Sequence, residues 1–158
     1  MNDMRGEQRE DSARVDLSAF RSSLDRGRPW LVEAAWMCVQ ALLFGTWLPG
    51  SRWRVWLLRL FGSRVGRGVA IKPRVRVKFP WKLSVGDHSW IGECAWIDNL
   101  CDVAIGSNCC VSQGAYLCTG NHDWSDPAFA LITKPVVPTE PSVFFASDSE
   151  PRGTNAFV

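Results

Sequence analysis

Aliphatic residues recur between residues 65 and 117 with a period that neither an α-helix nor an ordinary strand would give. A valine or isoleucine followed by glycine stands at Val65, Val85 and Ile105, which are twenty residues apart. Six and twelve residues after each of these stand further aliphatic residues, which are Ile71, Ile91, Val111, Val77, Ile97 and Leu117. All nine positions of the pattern are therefore aliphatic, and the pattern indicates a repeat architecture.

Each hexad is explained as a short strand plus a turn, and three hexads with a two-residue insertion complete one triangular coil. The aliphatic residue that opens each hexad would point inward and stack on its counterparts in the neighbouring coils. Small residues are expected four positions later, where the backbone bends; those that fit are Val69, Ser89, Cys109, Val75, Ala95, Cys101 and Ala115. We predict that residues 63–137 form a mainly β domain, a parallel β-helix of about three coils. The alternative is a β-sandwich with regularly spaced valines.

The segment before the repeat, residues 29–62, has a helical pattern. Residues 29–48 form an apolar run with one charge, Glu33, and one amide, Gln40, and the Pro49-Gly50 pair ends the run. Residues 52–62 predict a short basic amphipathic helix that carries arginine and tryptophan. Three interpretations stay open: a membrane-spanning helix, a helical hairpin on the inner face of a membrane, or a cap for the repeat domain or an oligomer contact.

Composition and charge narrow the class of protein. The 158 residues carry a net charge of only +2, which gives no sign of a nucleic-acid partner. The six cysteines include no CxxC pair, so we expect reduced thiols in a cytoplasmic protein. Residues 1–28 are polar and predict a flexible leader, and residues 138–158 predict a C-terminal tail without hexads.

The hexads, together with the run WIDNLCDVAIGSNCCVSQGAYLCTGNHDW over residues 96–124, resemble the hexapeptide-repeat acetyltransferases, in particular the branch for colanic acid and related exopolysaccharides. The resemblance covers about residues 28–137. It implies a left-handed coil, a homotrimer, and transfer of acetyl from acetyl-CoA to a sugar hydroxyl of an exopolysaccharide precursor. In that family, later coils supply much of the acetyl-CoA groove, whereas no hexad follows Val137. The cofactor-binding residues are therefore not assigned, and the alternative is a truncated, inactive remnant or a binding-only module.

Acetyl transfer to a hydroxyl needs a base that removes the proton as the oxygen attacks. The resemblance implies that His122, after the third coil, is this base. It also makes Asn99 and Asp98, one coil earlier, candidates for binding the acceptor or orienting the site. Asp123 is a candidate for fixing the imidazole or for capping a turn. His88, in a turn of the second coil, is expected to be a surface residue.

A γ-type carbonic anhydrase is the alternative from another class, since that enzyme shares the left-handed prism and the trimer. It needs three zinc-binding histidines, and this chain has only His88 and His122. We therefore expect an enzyme that uses acetyl-CoA as co-substrate and no metal.

Overall fold

The described residues form the expected parallel β-helix. A computed structural model describes residues 24–122, 131–133 and 143–144. The coils contain nine short strands: β1 (Arg64–Val65), β2 (Ala70–Ile71), β3 (Arg76–Val77), β4 (Leu83–Val85), β5 (Trp90–Ile91), β6 (Trp96–Asp98), β7 (Val103–Ile105), β8 (Cys110–Val111) and β9 (Tyr116–Cys118). The parallel sheets β1-β4-β7, β2-β5-β8 and β3-β6-β9 form three walls. This is the left-handed parallel β-helix of about three coils that the hexads and the family resemblance predicted.

The core of the prism is a continuous stack of aliphatic side chains. Residues twenty apart are paired across the strands, as with Val65 and Val85 or Ile71 and Ile91. Eight of the nine aliphatic positions are at most 9% exposed, and Leu117, in the last coil, packs partly buried against them. Burial of this apolar surface is the main stabilising contribution that the repeat can make.

The turns between the walls contain residues whose backbone is in the left-handed conformation. Six turn residues have φ between 57° and 69°, and they form two columns at twenty-residue spacing: Gly68, His88 and Asn108, and Arg74, Cys94 and Gly114. His88 is exposed in its turn, as expected. Gly86 meets a different demand, because a Cβ there would lie 2.5 Å from the backbone nitrogen of Ser107 in the next coil. The glycine that follows the first aliphatic residue of a coil thus permits a close approach of backbone.

Two helices lie against the first coil. Helix α1 (Trp30–Val39) continues as a π-helical turn (Gln40–Phe44), and helix α2 spans Arg52–Leu60. The prediction of one helix as far as residue 48 was wrong, because the chain leaves the helix at Gly45. Fifteen residues reach only about 22 Å, against about 30 Å of bilayer hydrocarbon. Within the described part of the chain, no helix has the length and apolar character needed to cross a membrane.

The helical segment covers the open backbone edge of the first coil on all three walls. Unpaired edge groups of a sheet are a liability that must be covered. Side chains from the helices and their junction reach every wall: Arg59 donates to the Val65 carbonyl (2.7 Å), Ser51 Oγ to the Ile71 carbonyl (3.0 Å) and Trp36 Nε1 to the Val77 carbonyl (2.7 Å), and Gln40 Oε1 accepts from the Val77 N–H (2.7 Å). These contacts show that the helical segment caps the first coil.

The loop between the helices is held by a buried arginine. Arg54 is fully buried, and its guanidinium donates to the carbonyls of Phe44, Gly50, Thr46 and Leu48. Burial without a counter-charge lowers the pKa of Arg54. These hydrogen bonds hold the loop in the non-helical course that it takes after residue 44.

Both predicted terminal segments contact the coils in their described parts. Most of the leader, residues 1–23, lies outside the described residues. Residues 25 and 26 reach the prism, since the Trp81 indole donates to the Arg26 carbonyl (2.6 Å) and the Lys82 ammonium to the Asp25 carbonyl. In the tail, strand β12 (Val143–Phe144) pairs in parallel with β8. The tail was predicted only to lack hexads, and this pairing is possible because the open edge of β8 accepts an extended segment whatever its hexad pattern.

Candidate active site

The candidate site lies at the third corner of the prism, where the chain leaves β3, β6 and β9. Phe79, Asn99 and Thr119 occupy this corner at twenty-residue spacing, and all three are buried. The corner carries the two-residue insertion of each coil, so its backbone departs from the regular ladder. Polar side chains must supply the missing hydrogen bonds there.

Asn99 holds the corner of the first coil in place. Its side chain is fully buried; Oδ1 accepts from the Phe79 N–H (3.0 Å), and Nδ2 donates to the Phe79 carbonyl (2.7 Å). Both ends of the amide are thus bound to main chain. Of the two predicted roles, orienting the site agrees with this geometry more readily than direct contact with an acceptor.

Asp98 stands on the wall beside the corner. Its Oδ2 accepts from the Tyr116 hydroxyl (3.0 Å), and its Oδ1 lies 3.0 Å from the Lys78 ammonium. The buried Oδ1 has no hydrogen-bond partner. Its contact with the Lys78 ammonium is therefore an ion pair without hydrogen-bond geometry. Asp98 therefore links the first and third coils along the outer surface of one wall.

Tyr116 is the outermost member of this polar group. Partial burial raises the pKa of Tyr116 above its usual value, and hydrogen bonds to Cys118 and Asp98 and the negative charge of Asp98 raise it further. Its ring packs 4.7 Å from that of Trp96, over which the Arg76 guanidinium lies at 4.2 Å. The phenol is consequently held neutral and acts as a donor to Asp98.

The third coil ends in a hairpin beneath the same corner. Thr119 Oγ1 accepts from the Cys101 N–H (3.1 Å), which keeps the chain in register for one further residue. Strand β10 (Gly120–His122) then pairs antiparallel with β11 (Leu131–Thr133). A Cβ on Gly120 would lie 2.4 Å from Leu100 Cδ1, so glycine allows the hairpin to start directly under the second coil.

A groove of about 560 Å³ opens between this hairpin and the corner. Its lining comes from three parts of the chain: the segment 24–28, the corners of the first two coils and strand β11. The lining residues with ring, charge or hydroxyl groups are Asp25, Arg28, Trp81, Lys82, Asp102 and Thr133. Neither Asp98 nor Asn99 is among its lining residues. The groove combines an aromatic ring with charged and hydroxyl groups, which suits a polar ligand with apolar faces.

Strand pairing places position 122 on the groove side of the hairpin. His122 is paired with Leu131, and Gly120 with Thr133. Directly paired residues share a face of a sheet, and so do residues two apart on one strand. Because Leu131 and Thr133 both line the groove, position 122 belongs to that same face. Asp123 lies outside the described residues, so its predicted role stays a prediction.

Sequence reasoning missed three residues at this groove. Trp81, Lys82 and Asp102 line it, and Lys82 also donates to the Leu100 carbonyl (2.7 Å). For Lys82 and Asp102 a signal was present, since positions 82, 102 and 122 differ by twenty and therefore follow one corner down the prism. The segment 24–28 had no such signal, because it belongs to no repeat.

The described cysteines and acids form neither a disulfide nor a metal cluster. All six cysteines are free thiols, with Cys109 buried and Cys38 and Cys94 exposed. In the described ranges, no three histidine, cysteine or acidic side chains come together as metal ligands.

Two curated relatives match most of the chain. The protein named "Putative colanic acid biosynthesis acetyltransferase WcaF" from Escherichia coli (strain K12) is 40% identical over 125 residues, which cover 77% of this chain and 68% of the relative. The protein of the same name from Shigella flexneri matches to the same extent. No family model matches the chain.

Proposed function

Because the chain belongs to the family of colanic acid biosynthesis acetyltransferases, we propose that it transfers acetyl from acetyl-CoA to a hydroxyl of a sugar in an exopolysaccharide precursor. The observation that carries this proposal is the pairing of His122 with Leu131 beside the corner groove. It supports His122 as the base, because the strand that carries position 122 pairs with a strand that lines the groove.

In the proposed reaction, the His122 imidazole accepts the proton of the sugar hydroxyl as its oxygen attacks the thioester carbonyl. The tetrahedral intermediate collapses to the acetyl ester and releases the coenzyme A thiolate, which takes up the proton from the imidazolium. A neutral imidazole is the form that can accept this proton.

The groove offers groups suited to a sugar. The ring of Trp81 can cover an apolar face of the sugar, and the exposed carboxylate of Asp102 can accept hydrogen bonds from its hydroxyls. Asp98 and Asn99 act as orienting residues in this proposal, because both are engaged with neighbouring coils. Asp123 follows His122 directly and is proposed to fix its imidazole.

The acyl donor and the homotrimer are also part of the proposal, and the acetyltransferase family supports both. Isothermal calorimetry of acetyl-CoA with the 158-residue chain tests the donor, and light scattering tests the trimer. Release of coenzyme A with an exopolysaccharide oligosaccharide as acceptor then tests transfer. We expect binding by a trimer and release that depends on the acceptor. A trimer that binds no acetyl-CoA would contradict the proposed activity and favour a binding-only module.

A further inference from the structure

The helical segment exposes a long apolar surface that the coils leave uncovered. On α1 and its π-helical turn, the side chains of Trp30, Leu31, Met37 and Leu42 are 60–73% exposed. The loop and α2 expose further apolar side chains, with Trp47, Leu48, Trp56 and Leu60 at 52–63% exposure. Large apolar groups at this density mark an interaction surface rather than ordinary solvent exposure. We call these eight residues the apolar helical surface.

The two polar side chains of the first apolar run, Glu33 and Gln40, both have partners within the chain. Glu33 forms an ion pair with Arg26 at 2.8 Å, and the Gln40 side chain accepts the Val77 N–H of the first coil. Neither therefore adds an unpaired charge or amide to the apolar helical surface.

The part of the chain that carries this surface is strongly basic. Residues 24–82 contain twelve arginines and lysines against two acidic residues, whereas residues 83–158 contain two against nine. The net charge of +2 hides this division. Two copies that met through residues 24–82 would repel each other, whereas an anionic surface would attract each copy.

A basic groove adjoins the apolar helical surface. It has a volume of about 520 Å³, and Met37 and Ala41 form part of its lining together with the exposed residues Arg74 and Arg76. The Arg74 guanidinium also lies 5.0 Å from the ring of Trp47. Guanidinium groups beside apolar side chains match the boundary between phosphate headgroups and acyl chains.

We propose that the apolar helical surface docks on an anionic lipid bilayer, with α1 lying in the interface and Arg74 and Arg76 facing lipid phosphates. Tryptophan prefers headgroup depth, and Trp30, Trp47 and Trp56 are the three most exposed tryptophans of the described residues. The fifteen helical residues lie along the interface instead of crossing it. Docking does not depend on the proposed acetyl transfer, since it needs no substrate.

Sedimentation with vesicles tests this proposal. The full chain should pellet with vesicles that contain phosphatidylglycerol and much less with phosphatidylcholine alone, and added salt should weaken the binding. The triple variant Trp30→Ser, Leu42→Ser, Trp56→Ser should bind these anionic vesicles more weakly, by a factor of at least roughly 100. The variant Arg74→Gln, Arg76→Gln should bind anionic vesicles roughly 25-fold more weakly.

The matched control is Trp90→Ser, which removes a half-exposed tryptophan from β5 in the second coil. It should bind vesicles as the unchanged chain does, and circular dichroism should show all variants folded. Equal pelleting of the triple variant and the control would contradict the proposal. A fall in mass of the triple variant without vesicles would also contradict it, because a second copy of the chain would then cover the surface.

Discussion

The side-chain amide of Asn99 takes the place of a strand partner for the main chain of Phe79. It accepts one hydrogen bond from the Phe79 nitrogen and donates one to the Phe79 oxygen, at 3.0 and 2.7 Å. The coil can therefore turn its third corner with an insertion and still keep its buried backbone paired. The groove beside this corner depends on that arrangement.

Asn99→Ala should lower the free energy of unfolding by about 2–4 kcal/mol, because it leaves two buried main-chain groups of Phe79 unpaired. Denaturant unfolding measures the loss. Gln113→Ala, at an exposed amide in the third coil, should change stability by less than about 0.5 kcal/mol. Equal stability of the two variants would show that Asn99 is free to serve the acceptor instead.

Arg54→Met should cost about 3 kcal/mol, since the methionine fills the site but leaves the carbonyls of the loop after α1 without donors. Arg52→Met is the matched control, because Arg52 lies two residues earlier on α2 and is exposed. Thermal unfolding followed by circular dichroism separates them. If both variants melt together, the buried arginine does not hold the helical cap.

Gly86→Ala should destabilise the coil by about 3 kcal/mol, because its Cβ would lie 2.5 and 2.6 Å from backbone atoms of Ser107 and Gly106, which cannot move aside as the end of a side chain can. Ser84→Ala, on the same strand, is the control and should be nearly neutral. Denaturant midpoints give the comparison. A neutral Gly86→Ala would mean that adjacent coils are spaced more widely than described.

Tyr116 is the single tyrosine of the chain, so tyrosinate absorbance reports on it alone. Its pKa should lie above the value of about 10 that unfolded chain gives, and Asp98→Asn should lower it. Because the folded pKa is raised, the stability from this phenol is complete below about pH 10 and is lost as pH rises through the folded pKa. Asp87→Asn, on another wall, should leave the titration unchanged. An unshifted pKa in the unchanged chain would contradict the contact with Asp98.

The coils could be predicted because each hexad repeats the same requirement, an aliphatic residue that points inward and a small residue where the backbone bends. The twenty-residue spacing identified strand, core and turn positions from Val65 to Val111 before any coordinates were known. The cap hydrogen bonds of Gln40 and Arg59 could not be found this way, since they join residues with no common period. The same holds for the pairing of β12 with β8, which follows from an open edge rather than from a pattern.

The candidate site was predicted in part, for a related reason. His122 came from the family resemblance, and pairing of the hairpin now puts position 122 on the groove face. Asn99 was expected near an acceptor, yet its amide bonds to Phe79, because a single sequence does not show whether a buried polar group faces main chain or ligand. Trp81 at the groove depends on the contact with Arg26, which no repeat encodes.

The rate of coenzyme A release in the presence of an oligosaccharide acceptor, compared between His122→Ala and His88→Ala, tests the central claim most directly. These are the only two histidines of the chain, and His88 sits in an exposed turn. Loss of a general base should slow His122→Ala by about 10²–10⁴-fold, while His88→Ala keeps the unchanged rate. Equal rates for the two variants would contradict the assignment of His122 as the base at the corner groove.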